Sequence, residues 1–199
     1  MAEVGSGELL GAVARLQVQV APLKQRDDGA RFYDPSHIIV VDAIRFDPDG
    51  AVGLRAGYDD VVDVHNANHP RSRDIRGDRA VSVMAAADYR WLRAHYGGHM
   101  TDGVAGETIM LSGGPALRGR DLRAGLRIET GDGVLELTHV RAATPCVEFT
   151  SHVLQRPPGR PVDETVRATL EVLDHGTRGF VAGIIGAAVV RPGDRVFLG

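Results

Sequence analysis

The sequence is short of several residue types, and each shortage narrows the chemistry open to it. Cys146 is the single cysteine in 199 residues. No internal disulfide can form, which fits a reducing cytosol, and a cytoplasmic location is the expectation. Lysine occurs once, as Lys24 in "APLKQRDD", and its absence elsewhere argues against a pyridoxal phosphate enzyme, whose cofactor forms a Schiff base with lysine. Neither sign of charge dominates: 23 Lys and Arg face 26 Asp and Glu, for a net charge of -3 and a pI near 6.2. That balance leaves no electrostatic footprint for nucleic acid or for an anionic membrane. No stretch approaches the roughly 18–20 apolar residues of a membrane helix. Residues 1–20 contain Glu3, Glu8 and Arg15 and do not read as a signal peptide. There is no G-x-S-x-G elbow, no phosphate loop ending in GKS or GKT, no dinucleotide fingerprint and no cysteine cluster for iron–sulfur.

What is present is punctuation between short β-like runs. With 43% hydrophobic residues the chain can bury a substantial core, and its length fits one domain spanning 1–199. "ARLQVQVAP" alternates at a period near two, and "HIIVVDAIRF" is rich in β-branched residues and ends at the turn "DPDG". "DLRAGLRIETGDGVLELTHV" reads as two strands joined at "GDG", with positive φ angles expected at Asp132 and Gly133. "RGFVAGIIGAAVVRPGDRVFLG" reads as two or three strands broken at Gly186 and "RPGD". Two helices are expected. One is in "AAADYRWLRAHYGG", with Tyr89, Leu92 and Tyr96 on one side and a stop at Gly97–Gly98. The other is in "PVDETVRATLEVLDHG", entered at Pro161 and carrying Val166, Leu170 and Leu173 at helical spacing. No repeat has the period of a solenoid. The pattern predicts a mainly β fold, a distorted or closed β-barrel with a few short helices.

Four stretches carry possible chemistry. Cys146 follows Thr144 and Pro145; proline cannot donate to a sheet ladder, so the cysteine is expected on a turn at a strand end, where binding residues commonly sit. Its ordinary reading is a small buried apolar group, and its sharper one a thiolate that binds or carries something. Arg141, five residues earlier, would lie on the opposite face of an unbroken strand. His65 and His69 have the i, i+4 spacing of a zinc pair, but Asn66, Asn68 and Pro70 oppose a helix there, so exposed loop histidines are the simpler reading. In "DGVAGETIML", Gly103 and Gly106 precede Glu107; glycines let a backbone approach an anion closely, and a plain turn would look the same. Arg71, Arg73, Arg76 and Arg79 form a basic run nearby, either solvated or suited to phosphate. Carboxylate pairs such as Asp59–Asp60 read as surface.

Taken in order, these pieces resemble the MOSC domain, named for the C-terminal region of eukaryotic molybdenum cofactor sulfurases. "GDRAVSVMAAADYRWLRAHYGG" is similar to the family's R-x-V strand and following helix, and "MTDGVAGETIMLSG" to its P-G-x-x-G-E-N segment. "LRAGLRIETGDGVLELTHVRAATPC" is similar to the stretch ending in r-x-P-C, and "RGFVAGIIGAAVVRPGDRVFL" to the closing strands. Asp63 and His65 match a G-D-x-H element in which Val62 replaces glycine. The resemblance covers about residues 57–198 and leaves 1–56 as N-terminal strands of the same barrel. Two departures stand out: Thr108 replaces the asparagine of G-E-N, and Asp102 replaces its proline.

The resemblance implies that Cys146 is the catalytic residue and the protein ligand of molybdenum in a molybdopterin cofactor. It implies that His65, Arg79, Gly106, Glu107, Thr108, Arg141 and Thr144 line the cofactor site. The implied activity is an oxidoreductase acting on N-hydroxylated or related small molecules, fed by a separate electron-donor protein. The alternatives are a sulfur carrier using a Cys146 persulfide, and a cofactor-free binding module or enzyme on the same barrel.

Overall fold

The computed structural model describes residues 7–72 and 79–199. The period-two stretch near the N terminus forms β1 (Leu9–Gln19), an 11-residue strand about twice the usual length. That length lets β1 serve three antiparallel neighbours in turn. It pairs first with β14 (Arg195–Leu198), then with β9 (Ile109–Ser112), and last with β4 (Ile38–Val41). Register shifts after Leu9 and after Val13 mark the changes of partner, and such irregularities bend a strand so that a sheet can close.

From β14 the sheet runs through β10 (Leu126–Thr130), β11 (Gly133–Ala142), β12 (Phe180–Ile185) and β8 (Val81–Ala85) to β9, and so back to β1. These seven strands close a barrel. The β8–β9 pair is parallel, and the chain between the two contains helix α1 (Ala86–Tyr96), the kind of crossover a parallel pair requires. A second sheet holds β13 (Ala188–Val190), β5 (Ala43–Asp47), β6 (Gly50–Leu54) and β7 (Val61–Val62), and β2 (Lys24–Asp27) and β3 (Ala30–Tyr33) form a separate hairpin. Two further helices are α2 (Val147–Val153) and α3 (Glu164–Leu173). No helix among the described residues is long and apolar enough to cross a membrane.

The expected turns are present. Asp47 faces Gly50 across "DPDG", and Thr130 faces Gly133 across the β10–β11 turn. There only Gly133 takes a positive φ, +138°; Asp132 does not. Helix α1 buries Tyr89 and Leu92 and stops at Gly97, while Tyr96 is only half-buried. Helix α3 begins at Glu164 and not at Pro161, because the Asp163 carboxylate accepts the Val166 amide at 3.0 Å and caps it. Helix α2 had no sequence expectation; at seven residues it has too few turns to show a period.

Strand alternation divides the apolar residues into two cores. Val81, Val83, Ala85, Ile109 and Leu111 point into the barrel cluster, which the second sheet joins through Ile44, Phe46 and Val190. Met84 and Met110, on the same two strands, point the other way. They meet Tyr89, Leu92, Phe149, Val153 and Leu173 from the three helices, with Tyr33 from β3 and the edge of Cys146.

Asp88 in the first turn of α1 is fully buried. It accepts the Leu117 amide at 2.9 Å, the Arg118 amide at 3.3 Å and the Arg118 guanidinium at 3.2 Å. Removing it strands two backbone donors, so Asp88→Ala is expected to destabilise the fold by about 2–4 kcal/mol, read as a fall in the urea midpoint. Asp121→Ala, which breaks only an exposed pair with Arg123, should leave that midpoint unchanged.

Candidate functional site

The polar positions of β1 do not face water. Arg15, Gln17 and Gln19 alternate with the buried Leu16 and Val18, and their side chains hold the loop 101–108. Gln17 donates to the Gly103 carbonyl at 2.7 Å and accepts from Arg15 Nε at 2.8 Å, and Gln19 donates to the Gly106 carbonyl at 2.6 Å. Gly103 and Gly106 have φ of +90° and +81°. A Cβ at Gly103 would lie 2.3 Å from Gln17 Oε1, and one at Gly106 would lie 2.5 Å from a Leu23 methyl. Both glycines are therefore explained by close packing on β1 and the segment after it.

The Asp63–His65 element secures the same strand from outside. Asp63, 2% exposed, accepts the Gln19 amide at 2.7 Å and both the amide and Nδ1 of His65, at 2.8 and 2.9 Å. His65 is thus connected to the loop through Asp63 and Gln19.

Glu107 is 3% exposed. Its Oε2 accepts the Tyr89 hydroxyl at 2.6 Å, and that hydroxyl accepts the Ala105 amide at 2.9 Å. Its Oε1 is buried with no partner among the described residues. Burial raises the carboxyl from its ordinary 4.5 to about 7, against the pull of the Tyr89 hydrogen bond and the Arg15 charge. Near neutral pH the site therefore holds a carboxyl able to keep its proton.

Cys146 stands at the N-cap of α2, half-buried, with its Sγ accepting the Phe149 amide at 3.5 Å. The strand β11 has already ended at Ala142, so the face parity of Arg141 does not extend to the cysteine. Tyr33 links this thiol to Glu107. Its hydroxyl donates to the Val104 carbonyl at 2.9 Å, and its ring meets Phe149 edge-on at 5.1 Å and His152 at 5.3 Å. Burial is the main force raising Tyr33 well above its ordinary range; Arg178 opposes the rise, while Glu107 and Cys146 add to it. Glu107, Cys146 and Arg178 are thus each within electrostatic reach of Tyr33.

Arg178 lies 4.8 Å over the Phe149 ring and donates to the Thr144 carbonyl at 3.1 Å, leaving a buried Nε without a partner among the described residues. His152 also has a buried Nε2 without one, and burial, then His99, lowers its pKa. A soft thiol, a carboxyl whose burial favours its protonated form, a neutral phenol and a guanidinium with an unused donor make a site able to bind a thiophilic centre and hold a proton beside it.

The remaining expected residues are placed differently. The Thr108 hydroxyl meets the Ser82 amide and hydroxyl at 3.2 Å and so ties β9 to β8. Asp102, which stands where the family pattern has proline, is paired with Arg93 at 2.6 Å. Arg141 is half-buried on β11 opposite Val181, Thr144 contributes its backbone carbonyl, and Arg79 is exposed. Of the basic run, Arg73 and Arg76 lie outside the described residues. His69 accepts the Arg71 amide in an exposed loop, and among the described residues no three His, Cys, Asp or Glu side chains group as for a metal ion. Tyr33, Arg178 and His152 were not singled out from the sequence, and Tyr89 was expected only as a packed residue of α1. Only Arg178, between Thr177 and Gly179, has neighbours that hint at a placed charge.

Because its folded pKa is raised, Glu107 binds its proton more tightly in the folded protein than in the unfolded chain. The stabilisation it contributes is complete below about pH 4.5 and is lost as pH rises through about 7. Glu107→Gln should remove that loss. Urea midpoints of wild type and variant, compared from pH 5 to 8, should diverge in the variant's favour by an amount on the order of a few kcal/mol. Parallel curves would place the carboxyl's titration elsewhere.

The MOSC domain family matches residues 58–197. No curated protein matches the chain. Among solved structures it is similar to YiiM from Geobacillus stearothermophilus, at 14% identity and a TM-score of 0.53, covering 94% of this chain and 74% of that one. YiiM from Escherichia coli is similar at 13% identity and a TM-score of 0.51, covering 81% of this chain and 64% of that one. A structure titled only as a hypothetical protein matches at 11% identity and a TM-score of 0.56, covering 96% and 69%. At these identities the likeness concerns the fold alone. With the family matching well over half of its length, the chain belongs to the MOSC domain family.

Proposed function

We propose that this protein binds the molybdenum cofactor, with the Cys146 thiolate as protein ligand to molybdenum, and reduces N-hydroxylated or related small molecules. The observation that carries the reading is the grouping of a lone half-buried thiol with two buried polar atoms that lack partners, Glu107 Oε1 and Arg178 Nε. Unpartnered buried donors and acceptors are costly and point to a group that completes them. The donor set suits the cofactor: thiolate sulfur is a soft ligand, and a guanidinium recognises phosphate or the polar edge of a pterin. Neither departure from the family pattern removes a member of the set, since Thr108 is spent on Ser82 and Asp102 on Arg93.

When bound, the cofactor supplies two-electron redox chemistry. The chain's own residues do the rest. Cys146 anchors, Arg178 orients, and the α1 and α2 side chains exclude water around Glu107. Cleaving an N–O bond by reduction consumes two electrons and two protons and releases water. Glu107 holds a proton near neutral pH at a carboxyl that no water reaches freely, which suits it as the proton source. The electrons come from a separate donor protein.

Molybdenum by elemental analysis, with pterin as its fluorescent oxidation product, tests the reading on protein from a cofactor-competent host. Near-stoichiometric metal and pterin are expected in the wild type, with Cys146→Ser either empty or inactive. Protein without metal or pterin despite ample cofactor supply refutes it. Cyanide-labile sulfur on Cys146 would then identify a sulfur carrier, and its absence a cofactor-free module.

A further inference from the structure

A cavity of about 1100 Å³ lies between the β2–β3 hairpin, α2 and the loop after it. That volume is at the upper end for small-molecule sites. Its lining is strongly one-sided in charge: Lys24, Arg26, Arg31, Arg156 and Arg160 against Glu148 alone, in a protein whose net charge is -3. Arg156 is neutralised by Asp163 at 2.6 Å, and Arg31 stands 3.8 Å from Glu148. Lys24, Arg26 and Arg160 have no ion-pair partner among the described residues.

The hairpin concentrates this charge in an unfavourable way. Arg26 and Arg31 are directly cross-strand partners, and Lys24 shares their face two residues away. Like charges opposite one another destabilise a strand pair, and a two-stranded hairpin has little stability of its own to spare. The arrangement becomes favourable once an anion lies between the guanidiniums. Gly159 closes the rim, its position 3.4 Å from the Ala30 methyl for a built Cβ. The inner wall belongs to the site already described, because Tyr33 and His152 line the cavity, as do Val147 and Glu148, the two residues after Cys146.

We propose that this cavity is the substrate chamber of the Cys146 site and that it takes a small anionic substrate bearing a carboxylate or a phosphate monoester. Its occupant's role as substrate rests on the reading of Cys146 as the reacting centre; the anion binding does not. The charge sits on the hairpin and on the 156–160 loop, away from Glu107 and Arg178, so the anionic group would anchor the far end of the molecule and leave its other end towards the thiol.

The test is titration of the full chain with benzoate, phenyl phosphate and uncharged benzamide, in the wild type, in Arg26→Gln/Arg31→Gln, and in Arg160→Gln as an independent variant on the opposite wall. At least one anion is expected to bind about tenfold or more tighter than benzamide and to lose about tenfold in the double variant. The preferred anion distinguishes carboxylate from phosphate. In protein produced without cofactor, bound anion should also slow alkylation of the free Cys146 thiol by iodoacetamide, while in cofactor-loaded protein molybdenum and pterin content stay at the wild-type level in both variants. Equal binding of benzamide, or anion binding indifferent to all three arginines, overturns the anion site. An unchanged alkylation rate at saturation overturns its placement beside the thiol. Loss of molybdenum and pterin in the variants would assign the cations to the cofactor and overturn the substrate role. Wild-type protein that lacks cofactor yet shows the arginine-dependent binding would refute the cofactor reading and leave the anion site standing.

Discussion

Strand β1 is the constraint on which barrel and site both depend. Its inward side chains, Leu10, Val13, Leu16 and Val18, belong to the barrel core. Its backbone passes from β14 to β9 to β4. Its outward Gln17 and Gln19 bind the carbonyls of the two left-handed glycines that shape the 101–108 loop. A slip of one residue would exchange the two faces, emptying the core of apolar groups and releasing the loop in the same step. Barrel closure and site geometry are therefore not separable: the register that satisfies one satisfies the other.

The candidate site lies outside the barrel, in the second core between the sheet and the helices. That placement explains the electrostatics. A packed barrel interior would exclude a substrate, and an exposed loop would leave carboxyl and phenol at their ordinary acidities. Between Met84, Met110, Phe149 and Val153 the surroundings are apolar enough to hold a proton on Glu107 near neutrality, yet one wall opens into the basic cavity. Apolar enclosure on one side and cationic access on the other is an arrangement suited to drawing a charged molecule towards a buried reacting group.

Much of this was legible before any coordinates. Strands β1, β4, β5, β10, β11, β12, β13 and β14 correspond to stretches with period-two or β-branched patterning and marked turns, because burial on alternate faces writes itself directly into sequence. The cysteine's position at the end of a strand followed from Pro145. Other parts had no local signature. Helix α2 is too short for a period. The β2–β3 hairpin carries charge on its cavity-facing side, so its strands lack an apolar alternation. The alternation of β1 marked a strand but not what covers its polar side, where Gln17 and Gln19 are held by a loop 86 and 87 residues further along the chain.

The sequence by itself determined the barrel, the family and the identity of the one thiol, since each rests on residue type and order along the chain. Only the tertiary structure decided what surrounds that thiol. Tyr33 comes from the hairpin, Glu107 from the loop before β9 and Arg178 from the turn before β12. Their acidities and unused hydrogen-bonding groups arise from burial against one another, a property of the assembled core that no single segment carries.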